Sequence, residues 1–240
     1  MRACSPRALR KIKFNFDEVV MADTQCVETG IDGMPVLCAD DALVAIVKPA
    51  GMLAVPGRGE QLRDCAAARV QARFPDALVV HRLDMATSGV MLLARGAAMQ
   101  RHLSIAFARR QVHKRYVALV AGRIEATVGE IDLPLAADWP HRPRQKVDRT
   151  TGKPSLTRYR VIGYDAASDT TRVELEPITG RSHQLRVHLL ALGHPIVGDA
   201  LYAPPAVHAR SVRLMLHACS LAFTHPARGH DVRIESEAPF

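Results

Sequence analysis

Two short apolar runs, Leu78-Val79-Val80 and Val90-Met91-Leu92-Leu93, enclose the string His81-Arg82-Leu83-Asp84-Met85-Ala86-Thr87-Ser88-Gly89. Runs of this length suit strands better than helices, and the Thr-Ser-Gly cluster between them marks a turn. The spacing therefore predicts two strands joined at a tight turn, with Arg82 and Asp84 delivered to a sheet edge. A carboxylate that leaves a buried strand beside an arginine can be kept ionised and oriented, which is the condition for a carboxylate nucleophile. A structural ion pair at a strand end would leave the same signature.

Further strand-like stretches run over Leu43 to Val47, Leu78 to Leu83, Tyr116 to Val120, Leu156 to Tyr164, Arg172 to Glu176 and Leu214 to Phe223. Val173 and Leu175 alternate with Glu174 and Glu176, so part of the sheet is half-exposed and antiparallel. Two segments have helical periodicity. Met99, Leu103 and Phe107 recur at i, i+4, i+8, with Arg101, Arg109 and Arg110 around them as a solvated face or as phosphate contacts. From Ser182 to Leu192, Leu185, Leu189 and Leu192 form one stripe, closed by Gly193 as C-cap with Pro195 beyond. His183 and Arg186, three apart, share another face. The class that follows is α+β.

The chain has 240 residues, enough for one large domain or two small ones. Its 32 Lys and Arg against 24 Asp and Glu give a formal charge of +8, which suits a polyanionic partner through counterion release. Aromatic residues are only 5% of the chain, too few for a multi-base stacking platform, so a single deep base site is the better expectation. Five scattered cysteines without a C-x-x-C pair fit a reducing cytosol and neither disulfides nor structural zinc. No apolar stretch is long enough to span a bilayer, and no signal-peptide core follows the basic start, so the expected compartment is the cytoplasm. Residues 1–32 read as an N-terminal extension, partly disordered, and 33–240 as the folded domain. No metal site is expected: His183 and His188 are five apart and lack the Glu of an H-E-x-x-H motif. Nor is there a P-loop or a G-x-G-x-x-G after a strand.

The string His81 to Gly89 closely resembles the active-site motif of the RluA family of pseudouridine synthases, in which the Asp is catalytic. Four more segments resemble that family's blocks in the family's order: Ile46 to Leu53, Val112 to Gly122, Pro177 to His188, and Leu216-His217-Ala218 with Phe223-Thr224-His225-Pro226. The resemblance implies the pseudouridine synthase fold: α+β, with a bent, mainly antiparallel sheet, flanking helices and a central RNA-binding cleft. It implies Asp84 as the catalytic residue, Tyr116 against the target base, and Arg186 as the arginine paired with Asp84. Arg82 would fill the gap left by the extracted base, and Arg181 would lie nearer the RNA backbone. His81, Lys114 and His183 join the candidate RNA-binding set. Asp138-Trp139-Pro140 with Arg142, Arg144 and Lys146, and Ala191 to Asp199, are similar to family members that modify both large-subunit rRNA and tRNA. Trp139 fits a surface loop touching RNA.

The activity implied is isomerisation of uridine by breaking the C1′–N1 bond, turning the base and rejoining it through C5. That exchange needs no cofactor. There is no room for the family's S4-type domain, so a single chain is expected to recognise compact stem-loops of 23S rRNA and tRNA, as a monomer.

Overall fold

The computed structural model describes residues 30–240 apart from Arg58. The expectation for residues 1–29 lies outside the described residues. Ile31, assigned by sequence to the extension, is instead buried in the core and bridges to Met34.

In chain order the elements are β1 (Val36–Ala39), β2 (Leu43–Lys48), α1 (Ala66–Arg73), β3 (Ala77–Val79), β4 (Ser88–Arg95) and α2 (Gly96–Ala108). There follow β5 (His113–Ala121), β6 (Val128–Asp132), β7 (Leu135–Ala137), β8 (Gln145–Val147), β9 (Leu156–Asp165) and β10 (Thr170–Pro177). The chain closes with α3 (Gln184–Ala191), α4 (Pro205–His208), β11 (Leu216–Thr224) and β12 (Asp231–Glu235). Ten strands make one sheet in the order β1-β2-β4-β11-β5-β10-β9-β6, with β3 also on β4 and β12 also on β11. Every named pairing is antiparallel except β4 with β11. β7 and β8 form a separate two-stranded arm.

The parallel pair at the centre explains one glycine. Gly89 lies opposite Ala218 with φ +118°, and a Cβ there would stand 2.3 Å from the Ala218 carbonyl oxygen. Only glycine lets the two backbones approach this closely at that φ.

Apolar side chains pack both faces of the sheet. Val44, Ile46, Met91 and Leu93 pack with α1 on one side, whereas Ala45, Val90, Leu92 and Leu103 of α2 meet on the other. The predicted α2 stripe is observed: Leu103 is buried and Met99 and Phe107 pack beside it, with Arg101 exposed. Val173 and Leu175 are buried while Glu174 and Glu176 face outward to Arg160 and Arg158. α3 seats Leu185 and Leu189 against β5 and β10, with Leu192 packed alongside, and Gly193 closes it at φ +92°.

The strand expected over Leu78 to Leu83 is shorter. β3 ends at Val79, and residues 80–87 form a loop in place of a tight hairpin turn. Val80 and Leu83 still pack into the core, so their apolar character reflects loop anchors and not ladder positions.

Several histidines are held neutral inside this scaffold. Leu92 N–H donates to Nε2 of His81, whose ring stacks on Phe107. His217 sits between Ser88 and Ser236, and His188 between Thr157 and the Leu133 carbonyl. Burial pushes His81 down to about 3 and His217 down to about 4, and lowers His188 as well. Between those values and the ordinary 6.5 the unfolded chain binds protons that the folded chain refuses, so stability rises with pH through that window. Stability against urea should therefore be full well above pH 6.5 and fall by on the order of 1 to 2 kcal/mol for each of His81 and His217 by pH 5. His217→Asn should flatten the slope. An unfolding midpoint unchanged between pH 7 and pH 5 would contradict this account.

Candidate active site

Asp84 stands in the loop between β3 and β4, where Thr87 N–H closes a turn onto the Asp84 carbonyl at 3.0 Å. The next residue ties that turn down. The Met85 carbonyl accepts from Gly51 N–H at 2.9 Å and from Lys48 Nζ at 3.1 Å. Lys48 is fully buried at the end of β2, and its ammonium also reaches the carbonyls of Pro49 and Met52 at 2.7 and 2.8 Å. Burial pushes its pKa down to about 8 against the opposing pull of Asp84. Lys48 is thus a buried anchor of the Asp84 loop.

The Asp84 carboxylate is half-buried and keeps a quarter of its side-chain surface open. Arg186 Nη1 and His183 Nε2 each stand 4.0 Å from its Oδ2. Arg186 has a tighter partner that sequence reading missed. Its Nε and Nη2 bind Asp199 at 2.8 and 2.5 Å, with Arg186 4% and Asp199 1% exposed. Asp199 also accepts the N–H groups of Leu201 and Tyr202. Arg186 stands in ion-pair range of Asp84, as the resemblance implied, and Asp199 in addition clamps the guanidinium from behind, so that one nitrogen is presented to Asp84. The neighbouring carboxylates hold the Arg186 pKa above its ordinary value against the cost of burial. Asp199 lay within a segment already singled out, but a single Asp after a glycine has no periodicity that marks it as a partner.

Two cavities meet at this carboxylate, one of about 510 Å³ and one of about 640 Å³. Both are bounded by Arg82, Leu83, Asp84, His183 and Arg186. The first continues over Tyr116 and His81 to Lys114, Arg110 and Arg181; the second is the more apolar, with Leu53, Leu201 and Val212. Tyr116 is packed between two core clusters at the floor of the first, and burial together with the Asp84 charge raises its pKa, so the phenol keeps its proton. Lys114 is shifted down by burial and Arg110 but is partly restored by Glu176. Arg110, left open between solvent and phosphate by its sequence, lines this cleft. His81 lines it too, although its Nε2 accepts a backbone N–H and burial keeps it neutral. It offers a ring surface there and no positive charge.

The structure thus gathers Asp84, Tyr116, Arg186, Arg82, His81, Lys114, Arg181 and His183 around one cleft. Arg142, Arg144 and Lys146 lie apart, on the β7–β8 arm. Trp139 is 69% exposed at the arm's tip, where the Arg142 guanidinium covers its ring at 3.1 Å. The arm is seated near the site all the same, because Arg144 overlies the Tyr202 ring at 5.5 Å and Pro143 borders the second cavity. Among the described residues, no group of three or more His, Cys, Asp or Glu is placed to hold a metal ion, and no helix is long and apolar enough to cross a membrane.

The RNA pseudouridylate synthase family matches residues 42–191, and the chain belongs to it. More narrowly it is RluA-like. It is 52% identical over 205 residues to the dual-specificity RNA pseudouridine synthase RluA of Escherichia coli O6:H1, covering 85% of this chain and 93% of that one. With the enzyme of the same name from Yersinia pestis it shares 50% over 207 residues, covering 86% and 100%. Among solved structures, human RNA pseudouridylate synthase domain containing 1 superimposes with a TM-score of 0.74 at 29% identity, covering 88% of this chain and 86% of that one. The chain is therefore an isomerase with an RNA substrate.

The clamp makes a definite prediction. Arg186→Leu strands Asp199 in the interior and should cost about 3–5 kcal/mol in urea unfolding. Replacing both Arg186 and Asp199 by leucine should recover much of that loss, since an apolar pair leaves no buried charge. A single variant as stable as the wild type would show that the two do not pair.

Proposed function

We propose that Asp84 is the catalytic carboxylate, that Tyr116 bounds the target uracil, and that Arg186 orients Asp84. The observation that carries this reading is the placement of a half-buried carboxylate where two cavities meet, with Arg186 Nη1 4.0 Å away and Tyr116 on the adjoining floor. The uridine must first leave its stack, at a cost of a few kcal/mol that is smallest in a loop. Arg82, exposed beside Asp84 and bordering both cavities, is suited to fill the space it vacates.

Ionised Asp84 then acts on the ribose, by adding to C1′ or by removing the C2′ proton, while the C1′–N1 bond breaks and its electron pair leaves with uracil. The base turns and C5 bonds to C1′ as the Asp84 carboxylate leaves C1′ or, on the other route, as the proton it took is returned to C2′; the C5 proton is then lost and N1 gains one. The product is an isomer of the substrate, with no electrons gained or lost. Tyr116, with its pKa raised, serves as a packing surface for uracil and stands near the departing C5 proton as a neutral phenol.

The reading extends to substrate. The catalytic unit takes in Ile31 as part of its core and is supported by a sheet that runs from Val36 to Glu235. It works as a monomer in the cytoplasm on stem-loops of two RNA classes, 23S rRNA and the anticodon arm of tRNA. Relatives sharing half their residues are named dual-specificity RNA pseudouridine synthases, which supports action on two kinds of RNA target. Lys114, Arg181 and His183 in the cleft, with Arg142, Arg144 and Lys146 on the arm, face the RNA, and affinity falls steeply with salt.

Asp84→Asn removes the charge with almost no change in volume, so isomerisation should cease while affinity for a stem-loop stays within about twofold. Carbodiimide labelling of pseudouridine and filter binding read the two effects. Retained turnover would remove Asp84 from this role. Deleting the gene should erase pseudouridine from one hairpin of the large-subunit rRNA and from tRNA anticodon arms together. Loss in only one RNA class would overturn the dual assignment and leave Asp84 untouched.

A further inference from the structure

Tyr202 is buried behind the site, 7% exposed, and its hydroxyl has two partners. One is the backbone nitrogen of Gln145 in β8, at 2.7 Å; the other is Nδ1 of His183, at 2.6 Å. A backbone N–H only donates, so the phenol oxygen accepts from Gln145. Its own proton has no other described acceptor in this buried position, and satisfying it there makes His183 Nδ1 the acceptor. A neutral imidazole carries one ring proton, and with Nδ1 bare that proton is on Nε2. Nε2 is the nitrogen that faces Asp84 Oδ2 at 4.0 Å.

The surroundings hold this chain of contacts rigidly. His183 caps α3 in the left-handed region at φ +54°, a conformation that costs a residue with a side chain and persists only where contacts enforce it. The Tyr202 ring meets the His183 ring edge-on at 5.6 Å and 82°. Leu135 of the arm, Val187 of α3 and Tyr202 are buried together, with Val147 and Leu201 beside them, so the arm sits against the same cluster. His183 is itself kept from charging chiefly by burial.

We propose that Tyr202 is a positioning residue that links the seating of the β7–β8 arm to the Asp84 carboxylate. The arm's Gln145 N–H orients the phenol, the phenol selects the Nε2–H tautomer of His183, and that N–H is aimed at Asp84. In this tautomer His183 presents a positive dipole end to the carboxylate and draws it into position; the other tautomer would present a lone pair and repel it. The arm also carries Arg142, Arg144 and Lys146, so RNA seated on it acts on the same contact that sets the tautomer. The inference rests on the reading of Asp84 as the catalytic carboxylate.

The test uses the full chain with 15N-labelled histidine rings, the His183 signals being assigned by their loss in His183→Asn. Two-bond 1H–15N correlations of the wild type should show Nε2 protonated and Nδ1 bare. Tyr202→Phe retains the ring and deletes the hydroxyl. It should abolish that preference and slow single-turnover isomerisation of a uridine stem-loop roughly tenfold, with RNA Kd within about twofold. Three results would overturn the proposal: a wild type protonated at Nδ1, a Phe variant with the wild-type tautomer, or a changed tautomer with an unchanged rate. The wild-type spectrum decides the tautomer even if the Phe variant does not fold. Because that spectrum needs no turnover, an error about Asp84 shows separately, as Asp84→Asn that stays active.

Discussion

A guanidinium taken almost wholly out of water and shared unequally between two carboxylates is what the rest of this site depends on. Arg186 gives Asp199 two hydrogen bonds and gives Asp84 proximity without a bond. The inequality matters. A buried charge must be paired, or its desolvation dominates. Asp199 meets that requirement permanently, so Asp84 stays open toward the cleft for a substrate. Had Asp84 been the sole partner of Arg186, the carboxylate would be engaged in a structural ion pair and turned away from the ribose.

The loop that carries Asp84 is fixed from the opposite side by a second buried cation. Lys48 gathers three carbonyls, including that of Met85, at the point where β2 ends. The turn therefore hangs between two cationic anchors, one at the end of β2 and one on α3. The close parallel approach of β4 and β11 at Gly89 brings the end of the loop to the middle of the sheet, where the two cavities meet. Fold and site are joined here: the sheet order sets where the loop emerges, and the two cations set its orientation.

What was legible in the sequence follows the strength of the local signal. Val173 and Leu175 alternate cleanly because β10 is covered on one face only, and the Met99, Leu103, Phe107 stripe marks α2 because one side of that helix packs on the sheet. Edge strands such as β6, where Val128 is half-exposed, and the three-residue strands of the arm bury too little to leave a pattern. Asp84, Tyr116 and Arg186 were singled out through resemblance of whole segments, since for an isolated Arg-x-Asp a structural ion pair is the favoured explanation. Asp199 and Tyr202 escaped because their roles are set by contacts with α3 and the arm, 13 and 57 residues distant in the chain. The strand expected to reach Leu83 fell short because apolar loop anchors and strand residues look alike until pairing is known.

The central claim is that the reacting ribose is held at Asp84 with its base against Tyr116. A crystal structure of Asp84→Asn bound to a uridine stem-loop tests it most directly. The account predicts one uridine extruded from the loop, its C1′ about 3.5 Å from the residue 84 side chain and its uracil in contact with the Tyr116 ring. An extruded uridine whose ribose lies out of contact with residue 84 would contradict it.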